Sequence, residues 1–145
     1  MVKPDGVGRA LVGQVIRRLE DKGLRLTGMK LLQVSEALAA KHYAAHVGKP
    51  FYAGLVRFIT SGPSVAMVFS GPGAIAVVRN LLGATNPAQA APGTIRGDLG
   101  LTIDFNVVHG SDSPEAAEQE IALYFDESEL VGIARPDEAW IFPAP

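Results

Sequence analysis

A chain of 145 residues with 48% apolar side chains can bury roughly two thirds of its unfolded surface in one domain, taken here as 1–145. Thirteen Lys and Arg against 15 Asp and Glu give a net charge of −2, which argues against a general nucleic-acid partner. There is no cysteine, no basic-then-apolar leader and no apolar run of bilayer length, so the expectation is a cytoplasmic protein without disulfides, thiolate metal sites or a membrane partner.

Leu11, Val15 and Leu19 recur every four residues with Val12 and Ile16 beside them, predicting one helix over 8–22 closed by Gly23. Residues 24–34 alternate loosely and read as a strand bulged at Gly28. Ser35 caps a helix running to about His46, and a short helix over 54–60 stops at Ser61-Gly62-Pro63. Residues 65–69 form a near-continuous apolar run, the mark of a strand buried on both faces. A helix over 74–82 ends at Gly83.

Residues 84–105 lack periodicity and hold Pro87, Pro92, Gly93, Gly97 and Gly100; a loop that long in a compact domain tends to be functional or disordered, and its threonines and arginines favour function. Residues 106–109 read as a strand end, and 114–125 as a helix with Ser113 as cap and Pro114 in its first position. The tail is irregular, with Trp140 as its expected anchor. This order suggests an α/β (α+β) sandwich, helices packed on a mainly antiparallel sheet.

The stretch Asn106-Val107-Val108-His109-Gly110-Ser111-Asp112 is the most informative. It sets one histidine at the end of an apolar run, just before a helix start, where backbone on both sides fixes it. A neutral imidazole is a usable nucleophile at pH 7 provided its second nitrogen is held. Glu120, two turns into the next helix, can fold back to hold it, and Ser111 can hydrogen-bond that carboxylate. The plainer alternative is a structural histidine beside a solvated glutamate. Taken singly, Lys3, Arg79 and Arg96 would be surface charges, and Phe51 ordinary core.

Other motifs fail. His42 and His46 stand four apart, but Tyr43 occupies the place of the glutamate that a zinc-protease helix needs. Gly48-Lys49 is followed by Pro50, and Gly71-Pro72-Gly73 lacks a third glycine, so phosphates would have to be held by side chains.

Two blocks, Thr94-Ile95-Arg96-Gly97-Asp98 and 106–112, together with Ser61-Gly62-Pro63-Ser64-Val65-Ala66-Met67-Val68 and Gly83-Ala84-Thr85-Asn86-Pro87, carry a resemblance to nucleoside diphosphate kinases that runs from Val2 to about Trp140. The resemblance implies a ferredoxin-like βαββαβ fold with a four-stranded, mainly antiparallel sheet. It implies that His109 takes the terminal phosphate of a nucleoside triphosphate and passes it to a nucleoside diphosphate by a ping-pong route. Lys3, Arg79, Arg96 and Thr85 match positions that bind phosphates and ribose, Asn106 with Lys3 the sugar hydroxyls, and Tyr43 a position beside the transferred phosphate. Phe51 matches the aromatic that stacks on the base, Ile103 the aliphatic residue on its other face, and Leu55 a further nucleotide contact. Magnesium would ride on the nucleotide phosphates, since no carboxylate cluster makes a cage for it and no protein metal ligands are assigned. Homo-oligomers follow from the same resemblance: a hexamer is the expected form, a tetramer the other, with contacts at the 84–105 loop and the Trp140 tail.

Two departures matter. Asp104-Phe105 replaces the glycine-arginine of many family members, with Phe105 expected to be buried. Only Met1 and Val2 precede Lys3, where the family carries a central strand; if Met1 is the true start, a marginally stable protein with a poorly held Lys3 is expected. The competing functional reading is a non-catalytic nucleotide-binding or regulatory protein on the same fold, against which the intact His109, Glu120, Lys3, Arg79 and Arg96 weigh. A secondary nucleic-acid role has little support from the charge.

Overall fold

A computed structural model describes residues 1–132, 134 and 136–141. The helix expected over 8–22 is α2 (Val12–Asp21), which starts later than expected, and a separate short helix, α1 (Pro4–Gly8), precedes it. Between them Ala10 adopts φ +57, the Leu11 N–H reaches the Gly6 carbonyl at 2.9 Å, and the Ala10 N–H reaches that of Val7 at 2.9 Å. That is a Schellman closure with alanine in the seat glycine usually takes, so the periodicity of α2 runs up to a true helix end.

Strand β1 (Arg25–Gln33) pairs antiparallel with β2 (Pro63–Ser70). Leu26 pairs with Phe69 and Gly28 with Val68, leaving Thr27 as the extra, bulged residue. The bulge frees the Thr27 carbonyl to accept from the Val131 N–H at 2.7 Å, and Leu130 lies so close over Gly28 that a Cβ there would stand 2.9 Å from its Cδ2. Between the strands, α3 (Glu36–His42), a 3-10 turn (Ala44–His46) and α4 (Tyr52–Ile59) follow in order. Ser35 caps α3 by accepting from the Leu38 N–H at 3.2 Å.

Next come α5 (Ala74–Leu82), a 3-10 turn (Pro87–Gln89), α6 (Ile95–Leu99), α7 (Pro114–Tyr124), a 3-10 turn (Glu127–Glu129) and α8 (Glu138–Ile141). Ser113 caps α7 through the Ala116 N–H. The 84–105 segment is therefore more structured than its sequence suggests; α6 is capped by Thr94 and spans too few residues to show a helical period.

Alternate residues of β2 feed two cores, which explains its unbroken apolar run. Val65, Met67 and Phe69 pack with Val15, Leu19 and Leu82 of α2 and α5. Ala66 and Val68 pack with Ala39, Ile59 and Tyr124 on the helices of the other face.

Only two ladder strands exist among the described residues, not four. The remaining members of the sheet are single-residue bridges. Val2 pairs antiparallel with Val65 on one side and with Val108 on the other, so β1, β2, residues 1–3 and residues 107–109 lie side by side. Each added segment is too short to count as a strand, and the turn at Val107 described below interrupts the fourth.

Three further expectations change. Trp140 is 91% exposed and anchors nothing; α8 is instead tied down by Glu138, which accepts from Arg25 Nη1 at 2.8 Å. Phe105 is 56% exposed, its ring edge-on to Phe58 at 5.4 Å, so it is not buried. Lys3 is firmly held, as its partners below make plain.

Candidate active site

The site begins with a strained turn. The Val108 N–H reaches back to the Asn106 carbonyl at 2.7 Å around Val107, whose φ is +67. A β-branched side chain in that region costs on the order of 1–3 kcal/mol, so the neighbours must impose it. They do so from three directions. The Asp5 carboxylate accepts from the Val107 N–H at 2.9 Å, and the Val107 carbonyl accepts from the Lys3 N–H at 2.9 Å. Arg96, 3% exposed on α6, donates Nε to the Asn106 carbonyl, Nη2 to that of Val108 and Nη1 to that of Gly83.

The turn delivers Asn106 and His109 to their places. Asn106 accepts from Lys3 Nζ at 2.7 Å and donates to the Thr85 carbonyl at 2.9 Å. His109 Nε2 lies 2.9 Å from both Glu120 oxygens, and Ser111 Oγ donates to Glu120 Oε2 at 2.5 Å. The carboxylate faces Nε2, so a neutral ring keeps its proton there and presents a lone pair at Nδ1. The His109 side chain is 28% exposed, so the ring is not sealed in.

Burial lowers the His109 pKa below the usual imidazole value, against the opposing pull of Glu120. Burial pushes the Glu120 carboxyl up, but its bonds to His109 and Ser111 and the charge of His109 prevail and hold it at about 2. At neutral pH the pair is therefore an imidazole braced by a carboxylate.

The cations gather close by. Burial, with Arg96 next, lowers the Lys3 ammonium to about 8. Burial, with Arg79 next, lowers Arg96 to about 10. Arg79, on α5, donates Nη1 to the Gly110 carbonyl at 3.3 Å. Three positive groups thus repel one another across a small region, and Asp5 is the acid that offsets part of it at Lys3. A cluster of like charges of this kind raises the local positive potential.

A file of rings leads away from His109. It runs through His42 (4.7 Å between centroids), Tyr43 (4.7 Å) and His46 (6.2 Å) to Phe51 (5.6 Å). Tyr43 is buried, and burial raises its phenol to about 12. Phe51 and Ile103 are more than half exposed, Thr85 is exposed and Leu55 is half-buried. No hydrogen bond or ring contact ties Ile103 or Leu55 to the histidine or the cations.

Sequence reasoning missed Asp5 and His42. Asp5 stands in the same Lys3-Pro4-Asp5 run as Lys3, which was the available signal. His42 was weighed only against His46, whereas its ring packs on His109 and Tyr124. Behind His109 lies a cavity of about 140 Å³, walled mainly by apolar residues of β2, α5 and α7; its lining includes His42 and Glu120 but none of Lys3, Arg79 and Arg96. None of the three cations therefore reaches this cavity.

Arg96→Lys keeps the charge but cannot serve three diverging carbonyls, so it should cost about 2 kcal/mol or more of stability. Urea unfolding of the two proteins checks this; a loss below about 0.5 kcal/mol would remove Arg96 as the clamp of the turn.

The family model described as nucleoside diphosphate kinase matches residues 1–130. The chain is 60% identical over 142 residues to a nucleoside diphosphate kinase of Archaeoglobus fulgidus, covering 98% of this chain and 94% of the relative. It is 59% identical over 141 residues to one from Synechococcus sp., covering 97% and 95%. Among solved structures, a halophilic nucleoside diphosphate kinase from Halobacterium salinarum in complex with CDP superposes with a TM-score of 0.95 at 53% identity, covering 97% of this chain and 94% of that one. A nucleoside diphosphate kinase family protein from Babesia bovis does so with a TM-score of 0.94 at 45% identity, covering 97% and 95%. With a family model matching nearly the whole chain and relatives this similar along their own lengths, this chain belongs to the nucleoside diphosphate kinase family.

Proposed function

We propose that the protein moves the terminal phosphate of a nucleoside triphosphate to a nucleoside diphosphate in two half-reactions through phosphorylated His109. The observation that carries this reading is the bracing of Nε2 by Glu120, which leaves Nδ1 to attack beside a set of unneutralised cations.

In the first half-reaction Nδ1 forms a bond to the terminal phosphorus while the bond from that phosphorus to the bridging oxygen breaks, and a nucleoside diphosphate leaves with the electron pair. In the second, an oxygen of the acceptor's terminal phosphate attacks the phosphohistidine, the P–N bond breaks, and the neutral imidazole returns. The positive charge on the phosphorylated ring is stabilised by Glu120, itself oriented by Ser111. Lys3, Arg79 and Arg96 hold the phosphate oxygens, Arg96 with the N–H groups its three carbonyl bonds leave over. Tyr43 stands beside the transferred group, and Asn106 with Lys3 and Thr85 takes the sugar side. Phe51, Leu55 and Ile103 hold the base by stacking and apolar contact, which reads no base edge and admits purines and pyrimidines alike.

Magnesium fits this scheme as a companion of the nucleotide. The one candidate cluster of metal ligands among the described residues offers two imidazoles and a single carboxylate, whereas magnesium prefers oxygen donors. When bound to the phosphates it neutralises part of their charge.

The same proposal puts the protein in the cytoplasm, which its lack of cysteine supports; no helix among the described residues is long and apolar enough to cross a membrane. It also makes the protein a homo-oligomer, a hexamer. Met29 and Leu31 on the outer strand β1, with Leu101, Phe105 and Trp140, are large apolar side chains more than half exposed, and a subunit contact would cover such surface. Sedimentation at the mass of one chain would remove the assembly from the proposal.

Incubation with terminally labelled ATP and no acceptor should label the protein with a phosphate lost in acid and kept in base. His109→Ala should take up none; uptake equal to wild type ends the nucleophile assignment. A non-catalytic nucleotide binder would take up no label in either form.

The pH dependence follows from the two shifted groups. His109 must be neutral, and its lowered pKa puts the acid limb of kcat/KM below pH 6.5. Lys3 must be charged, so a basic limb should begin near pH 8. In Lys3→Arg that limb should move above pH 9, whatever the variant's absolute rate. A basic limb that stays put would mean that another group titrates there.

A further inference from the structure

His42 has no part in the scheme above, yet it is the best-placed unused group in the molecule. Its ring stands edge-on to His109 at 4.7 Å and to Tyr124 at 5.6 Å. Its Nδ1 is buried and has no hydrogen-bond partner, and the Tyr124 hydroxyl is in the same condition. Buried polar atoms left unpaired are rare enough to call for an explanation, and a bound ion or water is one. Both residues line the 140 Å³ cavity behind His109, together with His109 and Glu120.

One ring nitrogen from each histidine and one oxygen of Glu120 lie within 4.8 Å of one another. Small side-chain adjustments would bring three such atoms to about 2.0–2.2 Å from a common centre. Ser111 already orients the carboxylate, as the supporting partner of a metal ligand does. The cavity gives room for a water as fourth ligand, within a wall that includes the Tyr124 hydroxyl.

We propose that His42, His109 and Glu120 form a site for an imidazole-preferring divalent cation of the zinc class, and that its occupation takes His109 out of phosphoryl transfer. Two imidazoles and one carboxylate are the donor set of open tetrahedral zinc sites, and they suit neither magnesium nor calcium. The Lys3 ammonium nearby works against any cation, which further selects a metal with strong nitrogen affinity. Binding replaces the hydrogen bond between His109 and Glu120 with two metal bonds. A metal on Nε2 moves the ring proton to Nδ1, and a metal on Nδ1 takes the attacking lone pair itself; in either case no free lone pair faces phosphorus, and Glu120 no longer supports a phosphorylated ring. The blocking effect rests on the role proposed for His109; the binding itself does not.

The test titrates the nucleotide-free protein with Co²⁺, whose visible absorption reports tetrahedral nitrogen and oxygen ligation. One equivalent should give that spectrum, Zn²⁺ should abolish it by displacement, and Mg²⁺ should not. His42→Phe keeps a ring in the buried slot and removes both nitrogens; it should weaken Co²⁺ binding roughly tenfold or more. Its metal-free melting curve verifies the fold, and His42→Gln replaces it should the phenylalanine variant fail to fold. In the same samples Zn²⁺ should suppress label uptake from terminally labelled ATP in wild type and do so far less in the variant. A wild-type protein without the Co²⁺ spectrum, or a His42 variant that binds as tightly, overturns the site. Label uptake undiminished by bound Zn²⁺ overturns its blocking effect. If no label is taken up even without metal, the His109 reading fails while the spectrum still decides the metal site.

Discussion

The turn at Val107 is the constraint on which the rest of the molecule depends. A valine with φ +67 would relax if its surroundings allowed it, and relaxation would turn both Asn106 and His109 away from their partners. Its surroundings are unusually complete. Arg96 grips the carbonyls on either side, Asp5 takes the Val107 N–H, and the Lys3 N–H takes the Val107 carbonyl. The His109 N–H is tied to the Met1 carbonyl at 2.9 Å, so the backbone is fixed before, within and after the turn. One arginine with three diverging bonds does what a longer strand would do by regular pairing.

This also accounts for the position of the charges. Arg96 is buried for a backbone reason, and its burial brings a fixed positive charge close to those of Lys3 and Arg79. Lys3 is likewise drawn in by backbone pairing of residues 1–3 and by Asn106. The folding free energy that closes the turn thereby assembles a cluster of like charges with few acids nearby. Any anion taken up there would relieve that repulsion, so under the proposed function substrate binding and local stability are coupled through the same side chains.

Local features were readable in the sequence and long-range ones were not. Ser113-Pro114 marks the start of α7, and helical spacing then carries Glu120 to within reach of His109, so the braced histidine follows from residues no more than 11 apart. The antiparallel pair β1–β2 and its irregularity beside Gly28 follow from alternation and a glycine. The resemblance of the motif blocks supplied what spacing could not, since Lys3 meets Asn106 across 103 positions. Helix α6 has five residues, fewer than two turns, and leaves no periodic trace. A lone tryptophan in an irregular tail reads as an anchor, but in α8 the ion pair of Glu138 with Arg25 makes an attachment and Trp140 is 91% exposed. The four-stranded expectation met a sheet whose last two members are reduced to bridges by their length and by the strained turn.

His42 shows how environment divides one residue type into two roles. Burial lowers both His42 and His109, and the charge of His109 further disfavours a charge on His42. His109 has Glu120 across a 2.9 Å hydrogen bond, which draws its pKa back up, whereas at His42 burial and the charge of His109 outweigh the pull of Glu120 and the pKa falls to about 4. His42 is therefore neutral at any pH where the protein would work. A protonated His42 would set a cation 4.7 Å from a ring that, in the proposed reaction, becomes positive on phosphorylation. A neutral edge-on ring avoids that repulsion while still filling the space behind the nucleophile, and the same neutrality leaves its lone pair available to a metal.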